Sequence, residues 1–258
     1  MEKKNCWKVS SGAWTPAESL PITDRAFRYG MSIFETIAVR EGRPLLLEAH
    51  LKRLAQAMRD FGGVIPEIPD FDFSQIGTGV IRFYLTAGEG GFDAPFAGNA
   101  HALFENAEVA WNLEPLRVAM CAAPYLPRPG GWKTGNYWQN IDALLAARGM
   151  GCDEALLFNP AGMLVGAAMA NVFLRIDGRW TTPALETGAR DGVVREWVLQ
   201  TMEASEEILD SDSLRCCSAA FLTNSRIGIR AVSELDGRPL EVACAEIQRR
   251  YFDEIFSR

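Results

Sequence analysis

The chain is poor in the residues that build metal sites and disulfide frameworks. Its 258 residues include only two histidines, and its six cysteines lie at positions 6, 121, 152, 216, 217 and 244. None of these positions forms a Cys-x-x-Cys pair or the Cys/His spacing that is typical of zinc sites. We therefore expect no metal site, and the cysteine pattern favours a reducing, cytoplasmic location over an oxidising one.

The chain also lacks an excess of positive charge and any long apolar run. Its formal net charge is −7, which argues against nucleic acid or an anionic membrane as a partner. The longest apolar stretch, residues 161–174, is interrupted by Asn171 and is too short to span a bilayer. Residues 1–14 contain no apolar core of a signal peptide. An anionic ligand would therefore need a local cluster of hydrogen-bond donors, because the overall field repels it.

Composition and breaker residues predict two α/β domains. Hydrophobic residues make up 48% and charged residues 23%, which is ordinary globular usage. Strand and helix patterns alternate on both sides of residues 122–132, where prolines and glycines are densest. We predict an N-terminal α/β domain over 1–121, a linker over 122–132 and a C-terminal α/β domain over 133–258. The helix after the linker is expected to place four residues on one face, namely Tyr137, Ile141, Leu144 and Leu145.

Lys133 is the first candidate for chemistry. It follows the linker, is predicted to open the next helix, and lies beside Trp132, Tyr137 and Trp138. Most lysines are solvated surface charges. A lysine in a partly dry, aromatic setting could instead act as a nucleophile that forms an imine with an aldehyde.

Three further features could bind an anion, although each also has an ordinary structural reading. Gly192 precedes a helix, so that backbone N–H groups could face an anion, but a plain turn is the commoner meaning of such a glycine. The run 223–225 (TNS) offers small donors, yet it could equally be a turn at the end of a strand. Arg53 by itself looks like a solvated helix residue.

Taken in order, these features resemble the class IV aminotransferase family. The stretch 24–36 (DRAFRYGMSIFET) resembles the DRG-x-x-YGD-x-x-FET segment of that family, and 48–54 (EAHLKRL) resembles its EEH-x-x-RL helix. Five further segments follow in the family order, namely 132–137 (WKTGNY), 151–157 (GCDEALL), 170–173 (ANVF), 192–195 (GVVR) and 221–225 (FLTNS).

The resemblance implies a two-domain α/β (α+β) fold, the fold type IV of pyridoxal 5'-phosphate (PLP) enzymes, with the cofactor in the interdomain cleft and with homodimeric assembly. Lys133 matches the lysine that forms the Schiff base with PLP and moves protons during catalysis. The resemblance also assigns the cofactor phosphate to five positions, namely Arg53, the backbone of Val193 and Val194 after Gly192, and the polar pair Asn224 and Ser225. Tyr137 matches a tyrosine that reaches the cofactor's phenolic oxygen in some members.

The main departure from the family concerns the pyridine nitrogen of the cofactor. The family places a glutamate there, five residues before the asparagine of its S-N-V-F motif, and this carboxylate keeps the ring an electron sink. Here that position is Gly166, and residues 163–173 contain no carboxylate. Arg190 replaces an apolar residue that often packs against the ring. Either Arg190 takes over the environment of the ring nitrogen, or it faces solvent and the site has decayed. A loss of about 3 kcal/mol of carbanion stabilisation would slow the reaction by roughly two decades.

The substrate carboxylate is a second point of departure. Several relatives carry an arginine at the position of Ala87, and its absence argues against a D-amino acid transaminase. Arg128 is a candidate substitute, although linker arginines are more often solvated.

Three hypotheses follow. The run 168–173 (AMANVF) looks more like aminodeoxychorismate lyase than like a branched-chain transaminase. The first hypothesis is therefore a PLP lyase or aminotransferase that acts on a small amino substrate through Lys133. The second is a PLP enzyme with altered chemistry, and the third is a non-catalytic homologue.

Overall fold

The computed structural model describes residues 5–63, 66–106, 113–127 and 131–257. The chain divides into two compact units. The first comprises Met1–Ala110 together with Lys133–Asn136, and the second comprises Trp111–Trp132 and Tyr137–Arg258. The mixed α/β fold class expected from the sequence is confirmed.

The first unit is built on a six-stranded antiparallel sheet in the order β2-β1-β6-β5-β3-β4. Its strands are β1 (Cys6–Ser10), β2 (Ala13–Pro16), β3 (Ser32–Arg40), β4 (Arg43–Pro44), β5 (Gly79–Thr86) and β6 (Asn99–Asn106). Its helices are α1 (Arg25–Tyr29) and α2 (Leu47–Asp60), with a short 3-10 turn at Phe73–Gln75. β3 is rich in apolar and β-branched residues, pairs with β5 along its length and buries seven of its nine residues.

The side chain of Arg25 organises the loop after β5. Arg25 is completely buried, yet no carboxylate of the described residues pairs with it. Its guanidinium group donates instead to five backbone carbonyl groups, those of Ala87, Gly88, Gly91, Ala94 and Pro95. The charge is therefore solvated by peptide dipoles.

The short segment Lys133–Asn136 belongs to the first unit because its backbone pairs with β3. Thr134 forms a bridge with Ile33, the Phe34 N–H donates to the Lys133 carbonyl at 2.8 Å, and the Gly135 N–H donates to the Ser32 carbonyl at 2.9 Å. The prediction that Lys133 opens a helix is wrong, because the backbone groups of Lys133, Thr134 and Gly135 pair with β3. The predicted domain boundaries at 121 and 133 stay a prediction, although by contacts Lys133 groups with the first unit.

The second unit is built on a nine-stranded mixed sheet in the order β12-β11-β10-β13-β14-β7-β8-β9, with β15 paired to β14. Its strands are β7 (Leu116–Met120), β8 (Glu154–Phe158), β9 (Leu164–Ala167), β10 (Asn171–Ile176), β11 (Arg179–Pro183), β12 (Ala204–Glu207), β13 (Ala219–Asn224), β14 (Gly228–Leu235) and β15 (Arg238–Pro239). Its helices are α3 (Trp138–Gly149), α4 (Val193–Thr201), α5 (Ser211–Cys216) and α6 (Ala245–Tyr251), with a π-helical turn at Phe252–Phe256 and a 3-10 turn at Leu185–Thr187.

Of the four residues expected on one face of α3, Leu144 packs against the buried cluster on the inner side, but the face as a whole is not the buried one. Ile141 and Leu145 are exposed, whereas Asn140, Ala143 and Ala147 are buried. The two alanines belong to a cluster of small residues with Ala119, Ala155 and Ala168, and their size lets the helix backbone approach the sheet closely. In the part of the chain that the structure describes, no helix is both long and apolar enough to cross a membrane.

Candidate active site

Lys133 is held by its backbone and faces an aromatic ring. Its ammonium nitrogen lies 4.2 Å from the centroid of the Phe34 ring, which in turn stacks on Tyr84 at 5.3 Å. Phe34 is on β3, the strand to which Lys133 is paired. The sequence predicted an aromatic setting from the neighbours of Lys133 in the chain. It could not identify Phe34, which is 99 positions away and is brought there by strand pairing.

Arg53 on α2 is fixed by a buried carboxylate. Its Nε atom donates to Glu35 Oε1 at 2.6 Å and its Nη2 atom to Glu35 Oε2 at 2.5 Å. The Nδ1 atom of His50 lies 2.8 Å from the same Oε2 atom. Glu35 and His50 occur in the motifs quoted above, but sequence reasoning assigned neither of them a role.

The charge state of this trio follows from its surroundings. Burial pushes the pKa of Glu35 upward, but the charge of Arg53 and the hydrogen bonds from His50 and Arg53 outweigh burial and lower that pKa to about 2. Burial lowers the pKa of His50 despite the neighbouring carboxylate. The trio is therefore an ionised Glu35–Arg53 pair, oriented by a neutral histidine that donates from Nδ1.

In the second unit, the N-terminal end of α4 has the features of an anion-binding site. Gly192 is its N-cap residue and makes no side-chain capping bond, and Val193 and Val194 in the first turn are buried. A Cβ atom on Gly192 would lie 1.9 Å from Asn171 Oδ1, so only glycine fits there. Asn171 also donates to the Arg190 carbonyl at 2.7 Å, which fixes the segment leading into the helix.

Asn224 is the last residue of β13 and Ser225 follows it, at the end of the strand as predicted, but Asn224 also has a structural task. Its Oδ1 atom accepts from the N–H groups of Arg226 at 2.8 Å and Ile227 at 2.9 Å, and its Nδ2 atom donates to the Met169 carbonyl at 2.9 Å. The preceding Thr223 hydroxyl is buried and makes no hydrogen bond within the described residues. We call Gly192, Val193, Val194, Asn224 and Ser225 the phosphate cup.

Arg190 contacts Tyr137. A terminal nitrogen of the guanidinium donates to the Tyr137 hydroxyl, and the central carbon lies 5.2 Å from the ring centroid. Arg190 forms no ion pair within the described ranges, and its Nε atom is buried without a hydrogen-bond partner there. The sequence singled out both residues, but nothing in it indicated that they meet.

Gly166 lies on β9 opposite Leu157, with φ at +152°. Residues with side chains rarely adopt this conformation. The lack of a carboxylate here is thus accompanied by a backbone that suits glycine. Arg128 lies outside the described residues.

The donor set fits the phosphate of PLP and differs from the family pattern at the pyridine ring. The uncapped start of α4, the glycine that excludes a Cβ atom and the buried Thr223 hydroxyl suit a phosphate dianion. At the position that the resemblance assigns to the ring-nitrogen carboxylate, the chain has Gly166.

The fold is the one shared by the fold type IV PLP enzymes. The family model described as amino-transferase class IV matches residues 32–235. The chain therefore belongs to the class IV aminotransferase family, whose members include aminotransferases and lyases, and it is an enzyme of that family. The family resemblance drawn from the motifs is confirmed.

Individual relatives place the chain within this family. An aminodeoxychorismate lyase of Bacillus subtilis (strain 168) is 25% identical over 261 residues, which cover 90% of this chain and 88% of the relative. The 4-amino-4-deoxychorismate lyase structure from Pseudomonas aeruginosa is 26% identical and covers 96% of this chain and 98% of its own, with a TM-score of 0.82. The branched-chain amino acid aminotransferase of Escherichia coli has the same TM-score at 19% identity, covers 96% and 92% of the two chains, and supports the fold alone.

Proposed function

We propose that this enzyme binds PLP covalently through Lys133 and acts on a small amino substrate, most closely as an aminodeoxychorismate lyase does. Bound PLP would supply an electron sink for the bond broken at the substrate. Lys133 would attach the cofactor and then carry protons to and from the substrate carbon. The observation that carries this proposal is the fixed position of Lys133 beside Phe34.

The cofactor phosphate is proposed to bind to Arg53 and the phosphate cup. Glu35 supports this assignment because it accepts hydrogen bonds from the Nε and Nη2 atoms of Arg53 and so fixes the orientation of the guanidinium group. The Gly192 start of α4 supports it because backbone N–H groups and the helix dipole favour an anion. Tyr137 is proposed to reach the phenolic oxygen of the cofactor.

The decisive test is cofactor attachment. Protein incubated with PLP should absorb at roughly 410–430 nm, as PLP bound to a lysine does. Borohydride reduction followed by peptide mass spectrometry should place the adduct on Lys133, and Lys133→Ala should lose both signals. Lys52→Ala, which removes a lysine from α2, is the matched control and should keep them. A colourless wild-type protein without an adduct would refute the proposal.

Reaction type is decided by product analysis. A lyase would release pyruvate and p-aminobenzoate from 4-amino-4-deoxychorismate, whereas an aminotransferase would convert an amino acid to its oxo acid. We propose the lyase because of the relatives reported above. Accumulation of oxo acid with no p-aminobenzoate would favour the aminotransferase.

The second candidate is a PLP enzyme with altered chemistry, and Gly166 and Arg190 favour it. Arginine does not accept a proton, so an arginine at the ring nitrogen would leave that nitrogen unprotonated. The expected result is normal cofactor binding with slow turnover of ordinary amino acids. Turnover at rates typical of PLP aminotransferases would exclude this candidate.

We further propose that the enzyme is a cytoplasmic homodimer. All six cysteines are free thiols, which is compatible with a reducing compartment. Sedimentation equilibrium should give twice the chain mass, and a purely monomeric species would contradict the proposed assembly.

A further inference from the structure

Glu154 is a buried carboxylate to which the family resemblance assigned no role. It is the first residue of β8 and is 6% exposed. Its Oε1 atom accepts from the Ala155 N–H at 2.9 Å, and its Oε2 atom accepts from the Met169 N–H at 3.1 Å. No lysine or arginine of the described ranges forms an ion pair with it. The carboxylate is therefore held by backbone groups alone.

These bonds join β8 to the bend formed by residues 167–170, which connects β9 to β10. The Ala167 N–H donates to the Ala170 carbonyl at 2.8 Å, and this bond closes the bend. The Ala168 N–H donates to the Ala155 carbonyl at 2.8 Å, and Asn140 Nδ2 donates to the Ala168 carbonyl at 2.8 Å. The bend is thus positioned by polar contacts from β8 and α3.

The bend in turn contacts the phosphate cup at two points. The Met169 carbonyl accepts from Asn224 Nδ2, so Met169 links Glu154 on its N–H side to Asn224 on its carbonyl side. Asn171, the residue directly after the bend, binds the Arg190 carbonyl and lies against Gly192. A shift of the bend would therefore reach both Asn224 and the start of α4.

The need for a carboxylate follows from the donors that Glu154 meets. Both of its oxygens accept from backbone N–H groups. A glutamine of the same size has only one acceptor oxygen, so its NH2 group would face one of these N–H groups and leave it unpaired.

We propose that Glu154 is a positioning residue whose carboxylate holds the 167–170 bend and thereby sets the geometry of Asn224 and of the α4 start for a phosphate-bearing ligand. The ligand chemistry rests on the proposed function, whereas the link from Glu154 through Met169 to Asn224 does not.

The test compares two aldehydes that differ by the phosphate alone. Apparent dissociation constants for PLP and for pyridoxal are measured by the absorbance of the lysine adduct at pH 8.5, where Glu154 is ionised. Glu154→Gln should weaken PLP about tenfold, the equivalent of one charge-assisted hydrogen bond, and should leave pyridoxal unchanged. Glu234→Gln is the control, because Glu234 pairs with Arg117 at 2.9 Å on a different strand pair. It should change neither constant.

Amide NMR of the cofactor-free protein tests the link by itself. In Glu154→Gln, the Ala155 or the Met169 amide should exchange faster with solvent and the Asn224 side-chain amide should shift, even if the wild type binds neither aldehyde. If Glu154→Gln does not fold, Glu154→Asp keeps the charge with a shorter reach and takes the same tests. The proposal would be overturned by equal weakening of PLP and pyridoxal, or by Ala155, Met169 and Asn224 signals that are all like those of the wild type.

Discussion

Two of the three guanidinium nitrogens of Arg53 are committed to Glu35, and this pairing decides what the side chain offers to a ligand. The arginine was predictable from its motif, but the carboxylate that orients it was not identified. Glu35 lies on β3 and Arg53 on α2, so their contact depends on how that helix packs on the sheet. A paired arginine also carries less net charge toward an anion than a free one.

We predict that Glu35→Gln destabilises the fold. The variant leaves the partly buried Arg53 without an ionised partner, and its NH2 group replaces one of the two oxygens that accept from Arg53 and His50. The expected loss is about 3 kcal/mol in the free energy of unfolding, measured by urea denaturation at pH 7. Glu48→Gln on the exposed side of α2 is the matched control and should change that free energy by less than about 0.5 kcal/mol. Equal effects of the two substitutions would contradict this role of Glu35.

Gly166 calls for a pair of substitutions, because a glutamate there would add both a carboxylate and backbone strain. With φ at +152°, any side chain should cost roughly 1–3 kcal/mol of stability. We therefore expect Gly166→Ala and Gly166→Glu to lower the melting temperature alike, so that turnover by Gly166→Glu is compared with that of Gly166→Ala. Turnover higher in the glutamate variant would identify the electron sink as the deficit, and unchanged melting temperatures would contradict the strain.

At the scale of elements, strand pairing determines where Lys133 lies. A Cβ atom on Gly135 would clash with the Ser32 Oγ atom and lie 3.3 Å from the Gly30 carbonyl oxygen, so Gly135→Ala should turn the Ser32 hydroxyl or push the Lys133–Asn136 segment away from β3. We expect a loss of about 1–3 kcal/mol of stability and weaker formation of the PLP adduct. The control, Gly149→Ala at the end of α3, has no atom within 4 Å of the new Cβ atom and should be neutral or slightly stabilising. An adduct yield like that of the wild type in Gly135→Ala would refute this.

The elements also show how far the sequence could be interpreted. β3 and the start of α4 were recognisable from β-branched residues and from a glycine before an apolar helix. The inner face of α3 was not, because the prediction followed the largest apolar side chains while the helix buries its alanines against the sheet. The contacts between Lys133 and Phe34, and between Arg190 and Tyr137, join distant positions and have no local signal.

The stability of the whole molecule depends on pH through two buried carboxylates, which act in opposite directions. The pKa of Glu35 is lowered from 4.5 to about 2, so its contribution is present above pH 4.5 and is lost as the pH falls through about 2. Burial, the largest effect, raises the pKa of Glu154 from 4.5 to about 7 against the backbone hydrogen bonds. The folded state therefore binds a proton more tightly there, and stability falls as the pH rises from 4.5 to 7.

We predict that Glu154→Gln flattens the pH dependence of stability in that window. Between pH 4.5 and pH 7, the free energy of unfolding should fall by about 3 kcal/mol more in the wild type than in the variant. This difference corresponds to the shift in the pKa of Glu154. Urea denaturation at half-unit pH steps measures the difference. Parallel curves for the two proteins would show that Glu154 does not titrate in this range.

Arg25 fixes the path of the loop 87–95 through backbone carbonyl groups, so this path does not depend on which exposed side chains the loop carries. The five carbonyl groups that surround its guanidinium belong to the peptide backbone, which every amino acid supplies. Side chains such as Phe92, which points outward and is 81% exposed, can therefore be exchanged without loss of the anchor. Exposed side chains of this stretch can therefore vary as long as Arg25 is kept together with Gly88 and Gly90, whose φ angles are positive.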